Sequence, residues 1–229
     1  MNIMVNYDIL AYYIGSNILV YMLIHIPLDL ITYRRKTEGY KEDAKDYPAW
    51  EDQNFTKIIT VITSLVFWVF VIFWPILHIF DIDDFILFFN FAIPYVDEVF
   101  QIIGLVLVGL GTFIASIGRI SRSTKAISWG VPKELTKKWG FRIVRHPLYA
   151  SYCYYFIGIP LAMLNYLLIP LILGIFGYYL TAVYEEKILV REFGEEYIEY
   201  QKKVGMLVPF IGRRKAVTPK EINGGSGRI

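Results

Sequence analysis

About five long apolar stretches, separated by polar connections, set the pattern of this chain. They run from about Ile9 to Tyr33, Thr56 to Phe80, Val99 to Ile117, Pro147 to Leu164 and Leu167 to Tyr184. Each approaches the roughly 20 residues a helix needs to cross the hydrocarbon core of a bilayer. The pattern predicts an all-α integral membrane protein with about five transmembrane helices. Pro27 and Pro75 lie inside the first two spans, where membrane helices tolerate proline, and Pro75 predicts a kink. The first run lacks the basic leader of a cleavable signal and is expected to stay as the first helix. A further apolar run, Phe85 to Val96, is broken by Asn90 and Pro94; it is short for a span and predicts an interfacial or re-entrant segment.

The last two spans are tied by Pro160, Asn165 and Pro170, which bracket a tight turn. They are therefore expected to form an antiparallel helical hairpin. Pro147 suits a first helical position, because its missing N–H would be unpaired there in any case. In the third span Gly104, Gly109, Gly111, Ala115 and Gly118 give small-residue faces, a signal for close helix packing.

Composition supports the membrane reading. Of 229 residues 55% are hydrophobic and 19% charged, too apolar for an ordinary soluble domain. The net charge of +2 is too small to suggest a nucleic-acid partner. Cys153 is the single cysteine, which excludes an internal disulfide and any cysteine-based metal site. His78 with Asp81, Asp83 and Asp84 offers no second ligand set and is read as a solvated connection. His25 and Asp29, four residues apart on one helix face, are read as an interfacial polar patch.

Where the charges fall sets the expected topology. The connection after the second span carries acids and no Lys or Arg, whereas Arg122, Lys125, Lys133, Lys137, Lys138 and Arg142 crowd the one before Arg145. Cytoplasmic loops carry the excess of Lys and Arg. The N-terminus is thus expected outside, and the basic connection, the C-terminus and everything after Tyr184 inside.

That topology brings two blocks to one membrane face. Arg145-His146-Pro147-Leu148-Tyr149 stands at the start of the hairpin, and Glu185 to Tyr200 at its end. Carboxylates at a membrane edge beside aromatic rings suit a cationic guest, and a neighbouring Arg and His suit an anionic or hydrogen-bonding group. An interfacial anchor of charged and aromatic residues accounts for the same composition.

The run from Leu135 to Tyr149, followed after the hairpin by Glu185 to Tyr200 and then Val204 to Pro209, resembles the isoprenylcysteine carboxyl methyltransferase family. That family includes phospholipid and small-molecule methyltransferases. The resemblance covers Leu135 to Ile211, and the first two spans match only in kind. It implies a methyltransferase dependent on S-adenosyl-L-methionine, with a cofactor pocket on the cytoplasmic side and a lipid or small lipophilic acceptor entering from the bilayer. Residues 1–118 would be membrane spans, 119–212 the catalytic loop, hairpin and cofactor segment, and 213–229 a flexible tail. Carried over to this chain, His146, Pro147, Tyr149, Val144, Tyr197, Tyr200 and Pro209 would hold or enclose the cofactor. Glu186 would sit by the reacting centre, with Arg145 and Glu185 as further catalytic candidates, and no metal is implied.

Two positions depart from the family. Ala182 stands where the family usually has an Arg, which weakens the case for a prenylcysteine carboxylate as acceptor and leaves Glu186 freer to face an amine or the cofactor cation. Ser151 replaces a residue that is often glycine. A membrane reductase using NADPH and a non-catalytic protein that retains the pocket are the alternatives.

Overall fold

The computed structural model describes residues 5–37, 54–93, 95–122 and 135–211. The expectations for Pro94, Lys125, Lys133 and the 213–229 tail lie outside the described residues. Four helices follow the first three apolar runs and the short one between them: α1 (Tyr7–Thr37), α2 (Asn54–Ile79), α3 (Asp84–Leu87) and α4 (Asp97–Arg122). Then come α5 (Gly140–Ile143), α6 (Pro147–Met163), a 3-10 helix (Tyr166–Ile172), α7 (Leu173–Phe193) and α8 (Glu195–Lys203). The protein is all-α. Four helical stretches, Tyr7–Arg34, Phe55–Ile79, Asp97–Arg122 and Tyr166–Phe193, are long and apolar enough to cross a membrane.

The fourth predicted span, α6, is 17 residues long, about 26 Å at 1.5 Å per residue, short of the roughly 30 Å hydrocarbon core. Most of its residues are buried. A helix that is apolar all round belongs inside a bundle, and α6 is the central element here. Its closest partner is α4, and glycine makes that approach possible. A Cβ on Gly104 would meet the Ala162 backbone nitrogen at 2.3 Å, and one on Gly158 the Gly104 carbonyl at 2.9 Å. The small-residue face of the third span is therefore a packing surface.

The hydrophobic core unites residues from α1, α2, α4, α6 and α7 with Met206 and Leu207 of the C-terminal segment, and so runs across the division expected at residues 118 and 119. Aromatic rings fill it. Tyr152 and Tyr178 stack at 4.5 Å, Trp68 donates to the Tyr152 hydroxyl at 2.9 Å, and the hydroxyls of Thr112 and Tyr155 pair at 3.0 Å. Each buried hydroxyl with a partner avoids the cost of an unmade hydrogen bond.

The two ends of the bundle differ. At one end Leu164 takes a left-handed conformation and Asn165 caps the 3-10 helix, accepting from the Leu167 N–H at 2.9 Å. Asn165 also donates to the Ile86 carbonyl at 2.8 Å. With Phe91 N–H donating to the Leu164 carbonyl at 2.8 Å, α3 and the chain after it thus lie against the hairpin turn. Near this end Asp83, expected to be solvated, is buried: it accepts from Trp74 Nε1 at 2.9 Å and pairs with His78 at the same distance. His78 also meets Asp8 at 3.1 Å, tying α1 to α2. The described residues contain no cluster of His, Cys, Asp or Glu able to hold a metal.

Candidate active site

The opposite end of the hairpin brings the two sequence blocks together. Pro147 opens α6 and His146 is its N-cap. The Pro147 side chain fits against Gly118 of α4, where a Cβ would sit 2.4 Å from it, and a Cβ on Gly140 would meet the Gly118 backbone nitrogen at 2.7 Å. These contacts fix the start of α6 against the end of α4 and the short α5. On the other side, α7 carries the chain through Glu185 and Glu186 to Phe193. Gly194, at φ 53° and ψ −132°, then breaks the helix, a conformation disfavoured for residues with a side chain. α8 turns back over the site, and the following segment is strapped to the first block: Arg145 N–H donates to the Gly205 carbonyl at 2.9 Å and His146 N–H to Met206 at 3.2 Å.

Arg145, His146, Glu185 and Glu186 meet in one buried ion cluster. Arg145 Nε donates to Glu186 Oε1 at 2.6 Å, and its Nη1 donates to the carbonyls of Gln201 and Val204. Gln201 Nε2 donates to Glu186 Oε2 at 3.0 Å and the Tyr197 hydroxyl to Oε1 at 3.4 Å. Glu186 is thus held on several sides, so the change at Ala182 does not leave its carboxylate without a cation. Ala182 is itself fully buried. The residue that meets the carboxylate is Arg145, which reaches across from the start of the hairpin.

His146 lies between the two carboxylates, Nδ1 at 3.3 Å from Glu185 and Nε2 at 3.4 Å from Glu186. Burial by itself would lower its pKa, but the pairing with Glu185 and Glu186 outweighs burial and raises it to about 9. The imidazole is therefore a cation at neutral pH, stacked on Tyr149 with a centroid separation of 5.5 Å. Tyr149 in turn hydrogen-bonds Glu185. Arg122 of α4 lies 3.8 Å from Glu185 and over the Phe141 ring at 5.4 Å.

Two cavities open onto this cluster. The first, about 420 Å³ with its open mouth, lies among α1, α4 and α6 and is lined by His25, Ala115, Arg119 and Leu148, among others. The second, about 340 Å³ with its open mouth, lies beneath α8 and is lined by Leu135, Thr136, Arg145, Leu189, Tyr197 and Tyr200, with others. Arg122, Phe141, His146 and Glu185 line both.

The predicted site residues divide accordingly. His146, Pro147, Tyr149 and Glu185 line the first cavity, and Arg145, His146, Glu185, Tyr197 and Tyr200 the second. Glu186 lines neither and stands behind them. Val144 is buried and pairs with Gly205 through its backbone, and Pro209 is half-buried and lines neither cavity.

Other residues come to the site from outside the two blocks. Arg119 and Arg122 sit in the last turn of α4, where a run of loop-like positive charge concealed them. His25 and Asp29 form no simple interfacial patch: Asp29 pairs with Arg119 at 2.8 Å, and His25 is buried on the wall of the first cavity. Their four-residue spacing was the available signal, but nothing in it named the partner helix.

An all-α fold with helices long and apolar enough to cross a membrane, and a buried charged cluster beside two cavities at one end, defines the class. The similarities sharpen the class. The chain is 42% identical over 73 residues to protein-S-isoprenylcysteine O-methyltransferase of Saccharomyces cerevisiae, a match covering 29% of this chain and 29% of the relative. It is 41% identical over 73 residues to methanethiol S-methyltransferase of Pseudomonas deceptionensis, covering 32% and 28%. A Tribolium castaneum protein-S-isoprenylcysteine O-methyltransferase is 38% identical over 69 residues, covering 29% and 25%. The matches thus span less than a third of the length of these curated relatives. The resemblance to the isoprenylcysteine carboxyl methyltransferase family is borne out over this part of the chain. No protein-family model matches the chain, and no solved structure does.

Proposed function

We propose that this chain is an integral, multi-pass membrane methyltransferase that carries the methyl group of S-adenosyl-L-methionine to a lipid or small lipophilic acceptor, with its site on the cytoplasmic side. The observation that carries the reading is the pair of cavities sharing a wall of Arg122, Phe141, His146 and Glu185. A two-substrate transfer needs two chambers whose contents touch at one point.

The cavity beneath α8 suits the cofactor. Its rings and the Glu185 carboxylate offer a cation what it needs. Arg145 Nη2, buried and without a hydrogen-bond partner, is a donor for a carboxylate. Tyr197 and Tyr200 supply aromatic walls. When bound, S-adenosyl-L-methionine supplies an electrophilic methyl group on a sulfonium. The chain's own residues orient, desolvate and balance charge around it. Glu185, on the shared wall, is the carboxylate placed to face the sulfonium, while Glu186 and Arg145 position the strap that closes the pocket. The cavity among α1, α4 and α6 receives the acceptor.

Ligand binding tests the reading. S-adenosylhomocysteine is expected to raise the melting temperature of the detergent-solubilised protein, and NADPH to leave it unchanged. No shift at saturating S-adenosylhomocysteine would overturn it.

A further inference from the structure

We propose that the methyl donor enters and leaves the second cavity through the seam between residues 135–137 and α8, with the Lys137–Glu196 ion pair as its latch, an inference that rests on the methyl-transfer reading above. The donor is charged and water-soluble, so its way in starts from water and not from lipid. Of the residues that line the cavity beneath α8, only Arg122, Leu135 and Thr136 are not buried. Leu135 and Thr136 form one lip of the seam. The other lip is α8, whose Tyr197 and Tyr200 line the same cavity and are buried. Lys137, the next residue of the first lip, reaches across to α8. Its Nζ lies 2.8 Å from Glu196 Oε1, and the two side chains are 39% and 59% exposed.

The packing allows this seam to part. Leu189, Val190, Tyr197, Ile198 and Tyr200 make a small hydrophobic cluster of their own, with Leu135 packed against it. The main core is separate from it, and anchors the chain just beyond α8 through Met206 and Leu207. A shift of α8 therefore disturbs the small cluster and leaves the core of the bundle intact. Both ends of α8 suit a rotation. Nothing lies within 4 Å of a Cβ added to Gly194, so no neighbour clamps that end, and at the other end Val204 is extended at φ −121° and ψ 138°. The closed position is fixed by buried bonds: the Tyr200 hydroxyl donates to the Phe141 carbonyl, and the Tyr197 hydroxyl and Gln201 Nε2 donate to Glu186. Closure of α8 thus also completes the set of donors around Glu186. The Lys137–Glu196 pair adds a contact on the water side, where an ion pair contributes little. A weak latch suits a seam that has to open in every turnover, because it slows release of the spent donor without trapping it.

The test follows the release of radiolabelled S-adenosylhomocysteine from the full-length protein in detergent. Lys137→Glu and Glu196→Lys each set like charges across the seam, and each is expected to speed release by about two- to fivefold, the range of an exposed pair. The double reversal Lys137→Glu/Glu196→Lys should restore the wild-type rate. A second measurement locks the seam. In a Cys153→Ala background, Lys137→Cys and Glu196→Cys joined by a bis-methanethiosulfonate reagent are expected to slow both uptake and release by about tenfold or more, and dithiothreitol to restore them. Release unchanged in both single reversals, an acceleration that the double reversal does not repair, or cross-linked protein that exchanges as fast as after reduction would overturn the inference. Each of these results leaves the methyltransferase reading standing. A wild type that binds no S-adenosylhomocysteine would overturn that reading and this inference with it.

Discussion

His146 sits where two carboxylates meet, and its protonation ties both to the start of α6. Its pKa is raised from an ordinary 6.5 to about 9 in the folded protein. A raised value means that the folded state holds a proton the unfolded chain releases earlier. The stabilisation is complete below pH 6.5 and is lost as pH rises through about 9. The melting temperature is expected to fall across that window, and His146→Gln should flatten the fall. A wild-type profile equally flat there would contradict the cationic assignment. The neighbouring Glu186 shows how one contact redirects a role. The resemblance implied a carboxylate by the reacting centre, and here Arg145, Gln201 and Tyr197 hold it. Removing one member of such a buried pair typically costs about 3–5 kcal/mol, so loss of activity in Glu186→Ala would by itself not show that Glu186 touches substrate.

At the scale of elements, the site depends on how closely α4 approaches α6. Gly104 and Gly158 bring the two backbones together, and the same pair of helices delivers Arg122 and His146 to the cavity wall. A larger side chain at the crossing would push the helices apart. Gly104→Leu is expected to lower stability by about 1–3 kcal/mol, the usual cost of overpacking. Because Pro147 is seated on Gly118 at the site end of the same pair, the substitution should also weaken the melting shift with S-adenosylhomocysteine. A Gly104→Leu protein with an unchanged melting temperature would show that the crossing is looser than its contacts indicate. α8 acts differently. It is short and polar, and what holds it over the site is Tyr200, which donates to the Phe141 carbonyl, and the Arg145 contacts to Gln201 and Val204.

For the whole molecule, loop charge predicts the orientation across the membrane. Asp84 and Lys202 are exposed at the two ends of the bundle. With Cys153→Ala as background, single cysteines at these positions are expected to be labelled by a membrane-impermeant thiol reagent from opposite faces, Lys202 from the cytoplasmic one. Labelling from the same face would refute the proposed topology.

The sequence by itself determined the helical class, the approximate placement of the long apolar elements, the hairpin turn at Asn165 and the two blocks that converge on the site. These follow from local quantities: runs of apolar residues, prolines at helix starts and turns, and motif residues close together in the chain. Hydropathy counted α6 as a span like the others, because it registers apolar residues without saying whether lipid or protein surrounds them. Only the tertiary structure decided that α6 is the buried centre, that Arg145 meets Glu186, and that Glu185 lines the shared wall while Glu186 stands behind it. Adjacent residues on a helix point about 100° apart, so which of two neighbouring carboxylates faces a cavity depends on how the helix is rotated against its partners. His25 and Arg119 belong to the site for the same reason. They are far apart in sequence, and the packing of α1 on α4 brings them together.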